Sequence, residues 1–388
     1  MLSLGGALAC AILAWALICW LQLGTAQAQG ADGDPSPTAT PRSVGPSGGS
    51  AQGTDAEDEG PLAGEPGPAC LDCHSNPGLG IDFASGERLP LYVDIQVFQE
   101  SVHGERLTCD ACHPAQTNYP HPQLQVENHR DYVLGYYQVC GRCHFDNYAK
   151  TLDSVHYDVL AEGRKEAPTC ADCHGSHDVT PPDEPRSRIA ERCSTCHESV
   201  YEEYSESVHG GALLGEDNPD VPVCTDCHGV HEIQNPEKPD FRLGSVDICA
   251  KCHSDEKRMS KYGISTNVLK TYLDDFHGKT FTFYKSESSR VWLETPVCTD
   301  CHGVHDIVQV ESPDSPVVKA NLLSTCQRCH PDAGPNFSSA WLSHYEPTLS
   351  RAPLVFAVRW FYRLLIPFIV GGLMLHITLD VWRLARNR

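Results

Sequence analysis

Cysteine and histidine recur through this chain at one fixed spacing. Cys10 and Cys19 lie in an apolar N-terminal stretch, and the rest of its 20 cysteines form nine pairs with two residues inside each pair. The pairs are Cys70 and Cys73, Cys109 and Cys112, Cys140 and Cys143, Cys170 and Cys173, Cys193 and Cys196, Cys224 and Cys227, Cys249 and Cys252, Cys298 and Cys301, and Cys326 and Cys329. A histidine follows each second cysteine at once: His74, His113, His144, His174, His197, His228, His253, His302 and His330. Two intervening residues put both sulfurs on one short turn, and the next imidazole stands beside them. That arrangement suits covalent attachment of haem, in which the thiols add to two vinyl groups and the imidazole takes the iron from one side. A structural zinc site or a redox dithiol could use a lone C-x-x-C. Nine copies ending in histidine favour haem, because a zinc ribbon gains nothing from that histidine and a dithiol enzyme needs one reactive pair. No cysteine of the motif region is left over for a disulfide.

A low-spin haem needs a second axial ligand. Of the three methionines, Met1 and Met374 lie in apolar terminal segments and only Met259 is in the motif region, so Met ligation cannot be general. The other histidines there are His103, His121, His129, His156, His177, His209, His231, His277, His305 and His344, ten candidates for nine irons. Near-complete bis-histidine ligation follows, with lower reduction potentials than His/Met ligation gives. The candidates fall in repeats, as similar stacked units would. His103, His156 and His209 stand in S-V-H, and His277 and His344 occupy comparable places. His177, His231 and His305 stand in C-H-G-x-H. Three residues span at most about 10 Å, too little to reach round a porphyrin, so these three should serve the iron of another motif. Motif 2 lacks G-x-H and offers His121 or His129 instead, which makes it the place for an open or unusually ligated iron.

The elements that must hold these groups are short. From Cys70 to His330 each motif has roughly 29 residues, too few for a conventional core. The expected fold is all-α with much coil, little or no sheet, and the porphyrins as apolar interior. Residues 69–350 form this nine-haem region. Residues 1–28 read as a signal peptide ending at Ala26-x-Ala28, with an uncleaved anchor as the alternative. Residues 29–68, rich in Gly, Pro and Ser, read as a flexible linker. The spacer between His277 and Cys298 is long, with aromatic and basic residues that could dock a partner or fill space beside a haem.

Residues 351–388 read as a transmembrane anchor with a short cytoplasmic tail. Leu364 to Leu379 is interrupted only by His376 and Thr378, and Trp360, Tyr362 and Trp382 flank the run. Arg383, Arg386 and Arg388 favour a cytoplasmic C-terminus. Covalent haem attachment takes place outside the cytoplasm, so the motif region belongs on that side of the inner membrane. His376 stands about 20 Å of helix rise beyond Arg363. A histidine inside a span is a functional candidate, here for a b-type haem shared with a partner or for a quinol contact, or else a neutral imidazole bonded within a helix bundle. Pro367 and the Gly371-Gly372 pair would permit a kink or close helix packing.

The formal charge of -22, from 51 acidic and 29 basic side chains, argues against nucleic acid as a partner.

Over residues 68–350 these motifs resemble the multihaem c-type cytochromes of the doubled C-x-x-C-H type used in anaerobic and metal respiration. The tail is similar to the helix that joins such haem domains to cytochrome b modules in quinol-oxidising complexes, which here would be a separate subunit. Anchored relatives of the NapC and NrfH kind carry their helix at the other end. The resemblance implies an electron carrier between a membrane quinol or cytochrome b partner and an extracytoplasmic acceptor or other redox protein. The alternative is a multihaem reductase of a small nitrogen or sulfur oxyanion, which needs one open iron; every motif ends in histidine and none in lysine, against that reading. A passive extracellular haem polymer subunit would not need the C-terminal helix.

Overall fold

The computed structural model describes residues 68–284, 294–341 and 343–387, all within one compact unit, Glu59–Arg388. The expected signal peptide with Cys10 and Cys19, nearly all of the expected linker and the middle of the long spacer lie outside the described residues.

Among those residues the secondary structure is helical apart from one hairpin, in which Gly80–Asp82 pairs antiparallel with Arg88–Pro90. The helices are short. Several motifs form single-turn helices, Cys170–His174, Cys224–His228 and Cys298–His302 among them. Each of these three is started by the aspartate of C-x-D-C-H, which accepts the N–H of the residue before the first cysteine: Thr169 to Asp172 at 2.6 Å, Val223 to Asp226 at 2.7 Å and Val297 to Asp300 at 2.6 Å. Each is ended by the following glycine at positive φ, 80° at Gly175, 84° at Gly229 and 85° at Gly303. That backbone region penalises a side chain, so the chain turns out of the helix at this point.

The interior is thin. Two clusters of buried apolar side chains stand out, one of Leu243, Val246, Tyr272, Phe281 and Val297 and one of Ala190, Tyr204, Leu213 and Val223. They occupy equivalent places, since the Tyr204 hydroxyl donates to Pro222 O at 2.7 Å and that of Tyr272 to Pro296 O at 2.9 Å. Large apolar groups beside the histidines are exposed instead. Phe145 follows His144 and Phe276 precedes His277, at 67 % and 82 % exposure. So much uncovered apolar surface calls for a bulky apolar group against it.

Pro353–Arg386 is one continuous helix of 34 residues, long and apolar enough to cross a membrane by length and composition. Lys270 pairs with Glu346 just ahead of it, tying the motif region to the approach segment.

Candidate haem centres

Every motif histidine lies opposite one non-motif histidine. Between ring centres, His74 is 6.2 Å from His121, His113 6.0 Å from His177, and His144 6.1 Å from His103. His174 is 6.2 Å from His231, His197 6.2 Å from His156, and His228 6.0 Å from His305. His253 is 6.4 Å from His209, His302 6.1 Å from His344, and His330 6.3 Å from His277. Two imidazole nitrogens each about 2 Å from one iron, with ring centres roughly 1.1 Å behind them, would put the centres about 6.2 Å apart. All nine separations fall within about 0.2 Å of the value expected for an iron held between two imidazoles. The residues present therefore fit haem c, with two sulfurs and a facing pair of imidazoles at every motif.

The facing histidine comes from elsewhere in the chain in a regular order. His177, His231 and His305, from motifs 4, 6 and 8, face motifs 2, 4 and 6, which is the crossing between motifs that their short spacing required. His103, His156, His209 and His277 follow motifs 1, 3, 5 and 7 and face motifs 3, 5, 7 and 9. The ends depart from the rule: His121 faces motif 1, and His344 turns back to motif 8. Neither sequence candidate for motif 2 faces His113, because His177 stands there. His129 is held elsewhere, its N–H donating to Glu87 at 3.0 Å and its ring 3.9 Å from the same carboxylate. The two choices at motif 2 could not be separated by counting, because reach across the fold decides them. His376 is exposed on the long helix, 4.0 Å from Asp380 one turn on.

Local structure sets these imidazoles. Ser154, Ser207 and Asp275 cap the turns that carry His156, His209 and His277, accepting the N–H of Tyr157, Gly210 and Gly278 at 3.2, 3.0 and 3.0 Å. Three backbone bonds then join the two families of facing histidines: Val102 N–H to Val179 O at 2.9 Å, Val155 N–H to Ile233 O at 2.8 Å, and Val208 N–H to Ile307 O at 2.8 Å. Each bond fixes together the histidines that face two successive motifs, 2 with 3, 4 with 5, and 6 with 7.

Burial disfavours the charged form of several of these imidazoles. Burial lowers the pKa of His103, His113, His156, His174 and His177, and takes His209 down to about 4 with help from the nearby His253. His74 Nδ1 lies 2.6 Å from Leu91 O and His121 Nδ1 2.9 Å from Asn118 O. A carbonyl only accepts, so each Nδ1 is the donor, which leaves Nε2 as the nitrogen free to face a metal.

Successive motifs are also adjacent. First cysteines are near neighbours between motifs 1 and 2 (Cys70, Cys109), 3 and 4 (Cys140, Cys170), 5 and 6 (Cys193, Cys224), and 7 and 8 (Cys249, Cys298). Second cysteines of even motifs approach the next odd motif: Cys112 is near Cys140 and Cys143, Cys173 near Cys193 and Cys196, Cys227 near Cys249 and Cys252, and Cys301 near Cys326 and Cys329. The attachment sites thus run in sequence order with two alternating kinds of junction. Arg142 of motif 3 donates to Ala111 O of motif 2 at 3.3 Å, and Arg328 of motif 9 bonds Asp300 O of motif 8, at junctions of the second kind.

Comparison with known proteins agrees with this geometry. A cytochrome c3 family model matches residues 164–254. Over 130 residues the chain is 26 % identical to the cytochrome c-type protein NrfB of Escherichia coli, a match covering 30 % of this chain and 65 % of that relative. The chain thus spans just under two thirds of that relative's length. No solved structure matches. These findings support a multihaem c-type cytochrome with covalently bound haem c and a part in electron transfer.

Proposed function

We propose that the chain is a membrane-anchored conduit of nine c-type haems, each held by the two cysteines and histidine of its motif and by the histidine facing it. The observation that carries this reading is the set of nine imidazole pairs at iron-bridging distance, which accounts for every motif and leaves only His129 and His376 outside it. Haem c, when bound, supplies one-electron iron chemistry. The chain's own groups then do four things. The cysteines would fix each porphyrin edge, the motif histidine and the one facing it would hold the iron, and Nδ1–H bonds to Leu91 O and Asn118 O orient His74 and His121. The cysteine contacts keep neighbouring sites close.

Electrons would pass in sequence order from motif 1 to motif 9 or the reverse. Pro353–Arg386 begins soon after motif 9, so motifs 8 and 9 form the membrane end, where a quinol-oxidising or cytochrome b subunit would exchange electrons. Motif 1, with its hairpin, would be the end that meets an extracytoplasmic acceptor. His376 is the candidate for a b-type haem or quinol contact within that membrane partner. A reductase would need an axial position free for substrate, and the complete pairing gives it none, so the chain is read as a carrier and not an enzyme.

A reductive titration of the matured chain, with its intact mass, tests this reading. Nine haem increments and uptake of nine electrons are expected. Fewer increments would leave a motif without haem and break the proposed chain at that position.

A further inference from the structure

Three arginines stand at equal intervals, Arg130, Arg186 and Arg242, and each pairs with the aspartate of a C-x-D-C-H motif. Arg130 meets Asp172 at 2.8 Å, Arg186 meets Asp226 at 2.6 Å, and Arg242 meets Asp300 at 2.5 Å. Each guanidinium also bonds backbone carbonyls just ahead of the same motif. Arg130 takes those of Lys165, at 2.6 Å, and Ala167. Arg186 takes Pro219 and Val221 at 3.0 and 2.9 Å, and Arg242 takes Thr295 at 3.0 Å. The arginine lies shortly before the first cysteine of motif 3, 5 or 7, while its partner lies in motif 4, 6 or 8. These are the motif pairs whose first cysteines are near neighbours: Cys140 with Cys170, Cys193 with Cys224, and Cys249 with Cys298.

Each aspartate therefore has two loads. It starts the single-turn helix that carries its own motif, and it anchors the arginine ahead of the preceding one. A fork of donors that bonds a carboxylate and carbonyls at once has a fixed geometry that lysine does not reproduce. Motif 2 has Ala111 where motifs 4, 6 and 8 have aspartate, so the pairing of motifs 1 and 2 is built without this clamp.

We infer that Arg130–Asp172, Arg186–Asp226 and Arg242–Asp300 are positioning clamps that set the separation of adjacent haems, and so the electron exchange, at junctions 3–4, 5–6 and 7–8. The inference rests on the sequence-order conduit proposed above. Loosening a clamp slows passage at its own junction alone, so the cost has an address in the chain.

The test injects electrons at one end of the full matured chain in lipid vesicles. Ser85→Cys, in the exposed hairpin after motif 1, takes a tethered ruthenium photosensitiser, and haem reduction is followed under steady illumination with a sacrificial donor. Without a clamp substitution all nine haems reduce in one phase. Arg130→Gln, Arg186→Gln and Arg242→Gln should each split reduction into a fast and a slow phase, the fast one covering three, five and seven of the nine haems in turn. Asp172→Asn, Asp226→Asn and Asp300→Asn, which keep an acceptor for the helix cap, should give the same three amplitudes and provide folded material where an arginine variant loses haem. A single phase in variants that keep nine haems would overturn the clamp. So would a slow phase of equal amplitude in all three, which is what general loosening produces. If the chain with both members of every clamp intact reduces only near the label, the conduit reading fails and the clamp is not the cause.

Discussion

At a single histidine, the consequences of the pairing can be read iron by iron. Replacing His121 by alanine should open one axial position at motif 1 and leave eight irons six-coordinate. Optical spectra of the reduced chain under carbon monoxide would then show one haem in nine binding the gas. His129→Ala should leave that spectrum unchanged, because His129 is held by Glu87 and faces no motif. An effect of His129→Ala in place of His121→Ala would contradict the pairing. Backbone demands are equally local. A Cβ on Gly210, the residue after His209, would sit 1.9 Å from Tyr204 O, so Gly210→Ala should cost about 1–3 kcal/mol and lower the melting temperature by several degrees. The sequence carried much of this scale in plain form. Nine C-x-x-C-H motifs and ten spare histidines make one facing histidine available to every motif by count. Which spare histidine serves which iron depends on contacts across more than 50 residues, as between His113 and His177, and no local pattern encodes that reach.

Short helices here act as brackets for imidazoles, and their stability comes from caps and cross-chain bonds more than from packing. Val208 illustrates this. It is the first residue of the helix Val208–Glu216, a position where proline is well tolerated, and Ser207 before it is already extended at φ -73° and ψ 164°. Val208→Pro should therefore keep the helix and delete only the N–H bond to Ile307 O. Stability should fall by roughly 0.5–1.5 kcal/mol while nine haems remain attached. Resonance spectra of the low-spin irons should show the change at motifs 6 and 7, faced by His305 and His209, and not at motifs 1 and 2. Loss of helix content by circular dichroism would mean that the residue does more than this. The aspartate of C-x-D-C-H was visible in the sequence as a repeated letter. Its pairing with Arg130, Arg186 or Arg242 was not, although their equal spacing is a signal that a search for the repeat in charged residues would have found.

In the proposed conduit, residues 70–330 form a series of similar units whose apolar interior is supplied by the haems they bind. That explains why two small buried clusters suffice among the described residues and why aromatic groups such as Phe276 stand uncovered beside ligands. It also means that folding and haem attachment depend on each other. A chain with the cysteines of motifs 4 and 5 replaced should lose cooperative thermal unfolding in the middle of the array, and protease should cut there first, since each unit contacts chiefly its neighbours. The mostly helical character and the apolar C-terminal helix were legible from composition, because roughly 29 residues per motif leave little room for sheet beyond the one hairpin of Gly80–Asp82 and Arg88–Pro90. The order of the units was not legible, since it rests on cysteine contacts that only the folded chain brings together. The central claim, that every iron is closed on both sides, is tested most directly by adding carbon monoxide to the fully reduced, nine-haem chain and recording its spectrum. An unchanged six-coordinate low-spin spectrum is predicted, and a haem that binds the gas in the unsubstituted chain would contradict the conduit and point to a catalytic iron.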